Sequence, residues 1–252
     1  MSQTPNIFRS FVTALRTLTI LPVPGPEAAR PADAFYFFPL VGELIGASVL
    51  LAAWVMTAAI GWTWGAALAG VFILAGLTRA LHLDGLGDTV DACFATRSRE
   101  RRLQIMKDPH IGVFGVVAVC LALLVKLVSL ERLCASGQWS MVILPVVLAR
   151  MTMVLVAVCL PYARPGGGKA GGFFAAKRPA HLLVAGALTL AICYLHAGSN
   201  GLAAAAGAFA LGMLLVQWMK HNFGGATGDL LGFAGESTEC IAYFFLALTA
   251  AF

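Results

Sequence analysis

The sequence predicts an all-α polytopic integral membrane protein, with about six to seven transmembrane helices and an amphipathic N-terminal helix at the interface. Three observations predict it. The 252 residues are 60% hydrophobic and only 12% charged, against about 25% charged for an average soluble domain. Residues 34–78 hold a single formal charge, Glu43, and residues 182–219 hold none, so each run is long enough for two crossings at about 20 residues apiece. Alternating strand patterns are absent, which leaves helices as the spanning structure.

Taken in order, residues 7–21 carry Arg9, Thr13 and Arg16 on one helical face, with Phe8, Phe11, Leu15 and Leu18 largely opposite. That is the pattern of a helix lying on a membrane surface. The arginines, and Pro22 and Pro24 after them, exclude a cleavable signal peptide. Residues 34–78 supply two spans. Residues 113–130 and 139–160 supply one each, holding Lys126 and Arg150 respectively, and residues 182–219 supply two more. The last run, residues 240–252, rises only about 20 Å as a helix against a hydrocarbon core of about 30 Å. It must borrow residues from the segment before it or stop partway. The chain reads as one domain, 1–252. Six cysteines, at 93, 120, 134, 159, 193 and 240, have neither zinc-site spacing nor a disulfide-scaffold context and receive no role.

With a cytoplasmic N-terminus and alternating spans, 14 of the 17 Lys and Arg fall in cytoplasmic segments; Arg132 is outside, and Lys126 and Arg150 lie within spans. The positive-inside rule then sets the orientation. The formal charge of +5 follows from this topology, and no aromatic-basic platform points to nucleic acid. The polar segments, about 79–112, 161–180 and 220–239, gather on the cytoplasmic face. A transporter would instead place its polar groups near the midplane between repeats. An enzyme working at the membrane surface is the expectation.

Asp84, Asp88 and Asp91 stand at i, i+4 and i+7 and share one helical face. Carboxylates so crowded at a low-dielectric boundary repel unless a divalent cation joins them, and oxygen ligands suit magnesium. A solvated helix turn, with Arg97 to Arg102 as counter-charges, is the competing reading. A second acidic patch, Asp229, Glu236 and Glu239, lies among Gly224, Gly225, Gly228, Gly232 and Gly235. Glycines there bring backbone N–H groups to phosphate or simply let helices pack closely. The loop 161–179 carries Arg164, Lys169, Lys177 and Arg178. Arg164 is its candidate phosphate contact, and Lys177 and Arg178 read as positive-inside residues. Glu43, Lys126 and Arg150, inside spans, are either site residues or structural pairs such as Glu43 with Arg150. His82 and His110 flank the acidic segment.

The stretch LHLDGLGDTVDACFATRSRERRLQIMKDPHIGVFG, residues 81–115, resembles the hallmark segment of the bacterial cobalamin synthase (adenosylcobinamide-GDP ribazoletransferase) family. The resemblance extends to LPVP at 21–24, FFPLVG at 37–42, Arg150, PYARPGG at 161–167 and GGATGDLLG with Glu236 and Glu239. Ala92, Ala95, Thr96 and Phe233 depart from that family's usual residues and affect local loop geometry. The resemblance implies transfer of the adenosylcobinamide phosphate group from adenosylcobinamide-GDP to α-ribazole or its 5'-phosphate. GMP is released, magnesium is required, and the reaction sits at the bacterial inner membrane.

On this reading Asp84, Asp88 and Asp91 are catalytic and hold the metal, Asp88 or Asp91 being the base. Asp229, Glu236 and Glu239 hold a second metal or the ribazole. Lys107, Arg164 and Lys220 neutralise phosphate charge, and His82, His110, Arg150, Thr227 and Gly228 complete the substrate contacts. A homo-oligomer, or association with other cobalamin-assembly enzymes, stays open. Two rivals remain. A CDP-alcohol phosphotransferase wants an Ala-Arg pair after Asp-Gly, where this chain has Leu86-Gly87-Asp88. A transporter is the other.

Overall fold

A helix that is apolar on every side has no face to give to water and ends at the centre of a bundle. Residues 144–159 behave in this way. The computed structural model, which describes residues 6–164, 167–168 and 170–250, is built around that segment. Helix α7 (Leu144–Cys159) is buried along nearly its whole length and packs against α2 (Phe38–Ile60), α9 (Pro179–Phe223) and α10 (Gly228–Thr249). Around it stand α3 (Thr63–Leu77), α4 (Leu81–Ala95) and α6 (Val113–Ala135). The outer helices point large apolar residues outward, among them Leu51, Trp54, Phe72, Leu121, Leu195 and Leu214. Such a surface suits lipid and not water.

The N-terminal helix α1 (Ile7–Leu18) is capped by the Asn6 side chain. It lies along the turn Pro31–Phe37 with Val12, Leu15 and Leu18 buried, while Ile7 and Phe8 stay exposed. That turn is tied to α9 through Asp33, which is bonded to Arg30 and, at 3.3 Å, to His181 Nε2. His181 Nδ1 accepts from the Arg178 N–H, so Nε2 carries the proton that Asp33 receives.

Five helices are long and apolar enough to cross a membrane, six with α3 and α4 taken as one bent span. The 45-residue α9 would be about 67 Å long if straight, yet both its ends meet the C-terminus of α7. Lys177, just before α9, donates to the carbonyls of Ala157 and Leu160. Ala226, just after it, donates to the Pro161 carbonyl at 2.9 Å. The helix therefore doubles back at Ala197–Gly198, where Gly198 takes φ 53 and ψ −132, a conformation nearly closed to residues with a Cβ. The two crossings expected from residues 182–219 are these two arms.

The expected short terminal run is instead the end of a 22-residue helix, α10, about 33 Å long. It borrows residues 228–239 from what the sequence reading made a cytoplasmic segment. Two features admit that polar stretch. Thr227 caps the helix by accepting from the Leu230 N–H, with Asp229 in the first turn where the helix dipole favours an anion. Glu236 and Glu239, 3% and 2% exposed, are neutralised inside the bundle. Lys126 bonds both of them, at 2.8 Å to Glu239, and Arg150 bonds Glu239 at 2.8 Å. Two cations and two anions thus lock α6, α7 and α10 together. Glu43, for which the sequence leaves open a site role or a structural pair such as one with Arg150, pairs with His196 at 2.8 Å.

The remaining elements gather at one end. Between α3 and α4 the chain bends by 83° through Arg79 and Ala80, both at positive φ, 55 and 53. This left-handed conformation costs a residue with a Cβ about 1–2 kcal/mol. The short helix α5 (Arg99–Ile105) docks on the end of α9. Arg102 donates to Asn222 Oδ1 at 2.7 Å and stacks over Phe223, and Arg99 reaches the carbonyls of Lys220 and His221. These arginines cap a helix C-terminus and are not the expected counter-charges of the aspartates. Lys177, bonded to α7 carbonyls, does the same for α7, and burial pushes its ammonium below the usual value.

Two stability measurements follow, each by thermal unfolding in detergent. Glu239→Gln leaves two buried cations facing one anion and is expected to cost about 3–5 kcal/mol, while joint Lys126→Met and Glu236→Met replacement, which stays neutral, costs far less. Ala80→Gly is expected to leave the midpoint unchanged or raise it, because it relieves the left-handed strain, whereas Ala→Gly inside a helix costs about 1 kcal/mol.

Candidate active site

Helices α4 and α10 cross with their backbones almost in contact. A Cβ on Gly85 would collide with the Asp229 carbonyl, and Gly232 lies against the backbone of His82 and Gly85. Of the glycines that accompany the second acidic patch, Gly232 serves this close helix packing. The close approach brings Asp229 to the row Asp84, Asp88 and Asp91, and Asp88 feels the charges of all three other carboxylates.

The four are not equivalent. Asp91 accepts from the N–H groups of Gly112 at 2.6 Å and Gly115 at 2.8 Å, so it caps the start of α6, where the dipole welcomes an anion. Neither glycine could carry a Cβ without meeting that carboxylate. Asp229 is paired with Arg164 at 2.7 Å, and Arg164 also bonds the Met106 carbonyl. Asp84, exposed, and Asp88, half-buried, make no hydrogen bond or ion pair among the described residues. No three His, Cys, Asp or Glu side chains among those residues converge into a ready-made cation site. Two unpartnered carboxylates nonetheless fit a hard divalent cation of magnesium's kind, which keeps waters and takes only one or two carboxylates plus a substrate's phosphate.

The remaining expected site residues divide. Arg164 joins the aspartates, and Thr227 and Gly228 stand at the start of α10 beside them, Thr227 buried as the cap. His82 is buried where α4 begins, between the aspartates and the ion cluster, and its Nε2 has no hydrogen-bond partner among the described residues. Lys107, His110 and Lys220 are exposed at the same end and make no bond to the aspartates. His110 pairs with Asp108 at 2.6 Å, and hydrogen bonds from the His110 backbone and ring hold the Asp108 carboxyl below its usual range. Lys169 lies outside the described residues.

Three expectations are corrected. Glu236 and Glu239 are not metal ligands, because Lys126 and Arg150 already occupy them. Arg150, 1% exposed and held by Glu239, is a packing cation and not a substrate contact. Asp91 is a helix cap first. Sequence reasoning also missed the aromatic walls beside Arg164, from Phe35, Phe38, Tyr162 and Phe173. They come from two stretches far apart in the chain, Phe35 and Phe38 from one and Tyr162 and Phe173 from the other.

Comparison with known proteins adds identity to this geometry. A family model described as Cobalamin-5-phosphate synthase matches residues 10–247. The adenosylcobinamide-GDP ribazoletransferase of Chlorobaculum parvum is 40% identical over 242 residues, 94% of each chain. That of Chlorobium phaeobacteroides is 40% identical over 95% of this chain and 99% of its own, and that of Syntrophobacter fumaroxidans is 39% identical over 92% and 95%. No solved structure matches. A match that runs through both acidic segments and the arginine bridging them makes this chain a member of the cobalamin-5-phosphate synthase family.

Proposed function

We propose that the chain transfers the adenosylcobinamide phosphate group from adenosylcobinamide-GDP to α-ribazole or its 5'-phosphate. The products are GMP and adenosylcobalamin or its 5'-phosphate. The observation that carries this reading is the family match over 10–247, whose most polar shared segments meet at Asp84, Asp88, Arg164 and Asp229. In the reaction a ribose hydroxyl oxygen forms a bond to the phosphorus attached to cobinamide, and the bond from that phosphorus to the bridging oxygen breaks. GMP departs with that oxygen, and the hydroxyl proton passes to a carboxylate.

Asp88 is the proton acceptor in this reading. It is half-buried and unpartnered, whereas both oxygens of Asp91 are bonded to backbone N–H groups. Arg164 bonds Asp229 and the Met106 carbonyl through one terminal nitrogen, and its other terminal nitrogen is the donor assigned to the phosphates. Asp84 and Asp88 are the residues that would hold magnesium, which when bound neutralises phosphate charge ahead of an incoming hydroxyl. The site lies on the cytoplasmic side of the inner membrane, on the positive-inside count of the flanking segments.

Purified protein supplied with adenosylcobinamide-GDP and α-ribazole phosphate is expected to release GMP and corrinoid product in equal amounts, and to stop when magnesium is chelated. Corrinoid flux without GMP release would favour the transporter instead. Asp84→Asn and Asp88→Asn are expected to lower turnover by about 10²-fold or more at unchanged stability. Asp91→Asn, by contrast, should cost about 1–2 kcal/mol of stability through the lost cap. Full turnover in folded Asp88→Asn protein would sink the assignment of the base.

A further inference from the structure

Next to the Arg164–Asp229 pair the bundle encloses a cavity of about 450 Å³. Its walls come from α1, the Pro31–Phe37 turn, the start of α2, Met153 of α7, the residues Tyr162, Arg164, Ala170 and Phe173, and the first turns of α4 and α10. They are largely aromatic and aliphatic: Phe35, Phe38, Phe173, Leu18, Met153 and Leu231. One deeply buried polar residue, His82, lines both this cavity and the smaller space beside Lys126, Arg150, Glu236 and Glu239. His82 is 3% exposed and its Nε2 has no hydrogen-bond partner among the described residues, an arrangement that is unfavourable until a partner arrives.

We propose that this cavity receives the heterocyclic base of the nucleoside acceptor. His82 Nε2 bonds the ring nitrogen left free by the glycosidic bond, and the ribose lies at the Arg164–Asp229 mouth. The assignment rests on the transferase reading above and specifies which half of which substrate enters. Size excludes the corrin ring with its side chains, and the volume lies in the range of about 300–1,000 Å³ usual for small-ligand pockets. Chemistry separates the two bases. The guanine of the donor carries an exocyclic amine, a carbonyl and ring nitrogens along its edge, and these apolar walls would leave most of them unpaired at a cost. The dimethylated benzimidazole of α-ribazole has methyl groups, two flat faces and one free ring nitrogen, which matches apolar walls with one unpartnered imidazole. The mouth then delivers the ribose hydroxyl toward Asp88, which shares the charge field of Asp229 and Arg164.

The test uses the full-length protein in lipid nanodiscs with both substrates. Ala170 lines the cavity from the segment outside the spans, so Ala170→Phe fills it without placing a charge in the bundle. Its KM for α-ribazole is expected to rise about tenfold or more, with the KM for adenosylcobinamide-GDP little changed. An acceptor whose benzimidazole is replaced by indole, lacking the free nitrogen, is expected to lose about tenfold in kcat/KM with the wild type. His82→Phe is expected to erase that difference between the two acceptors. Should Ala170→Phe not fold, the indole comparison on the wild type decides alone.

A KM change confined to the donor, or equal use of the indole and benzimidazole acceptors by the wild type, overturns the proposal. The cavity then holds something else, such as an acyl chain, while GMP release by the wild type keeps the transferase reading intact. Absence of GMP release from the wild type overturns both together.

Discussion

Everything else in the bundle is arranged around four charges that have no access to water. Lys126 on α6, Arg150 on α7, and Glu236 and Glu239 on α10 sum to zero, and each is at most 3% exposed. An isolated charge at that depth costs several kcal/mol, so any rotation or slide that separates the pairs is heavily penalised. An apolar interface between membrane helices has no such preference, because lipid tails solvate leucine as well as another helix does. The cluster therefore specifies one register for three helices. The rotation of α10 that it fixes also sets which side of Asp229 faces α4.

The second constraint is steric. The absence of a Cβ at Gly85 and Gly232 lets α4 and α10 come together, and the left-handed pair Arg79–Ala80 turns α4 by 83° out of the line of α3. Strain held by surrounding structure is a feature of sites whose geometry matters more than local comfort. Here it directs the first helical turns toward the polar end. There Asp84 and Asp88 stay unpartnered among the described residues, while Asp91 is held by backbone N–H groups and Asp229 by Arg164. Carboxylates deeper in the bundle serve packing, and those at the boundary stay available for chemistry.

That division explains where the sequence was misleading. Asp229, Glu236 and Glu239 look alike in the chain, yet one belongs to the boundary and two to the interior. Their difference is a matter of depth along α10, and depth depends on where the helix begins. Thr227 and Asp229 start it a dozen residues earlier than the apolar run alone indicates. Arg99, Arg102 and Lys177 read as topogenic or counter-charges, but their partners are helix-terminal carbonyls. No side-chain pattern in a sequence reports such partners.

The sequence by itself determined the solvent, the helical class and the row Asp84, Asp88 and Asp91. All of these follow from local quantities, namely hydropathy over about 20 residues and a 3.6-residue period. The family, too, was legible in contiguous motifs. The tertiary structure alone decided which acids are neutralised, that Asp91 caps α6, that Arg164 holds Asp229, and that aromatics from two distant segments line one cavity. Those outcomes are set by contacts between residues up to 153 positions apart, such as Glu43 with His196. Such pairings depend on how helices cross and how deeply each is sunk, and neither is encoded in any window of the chain.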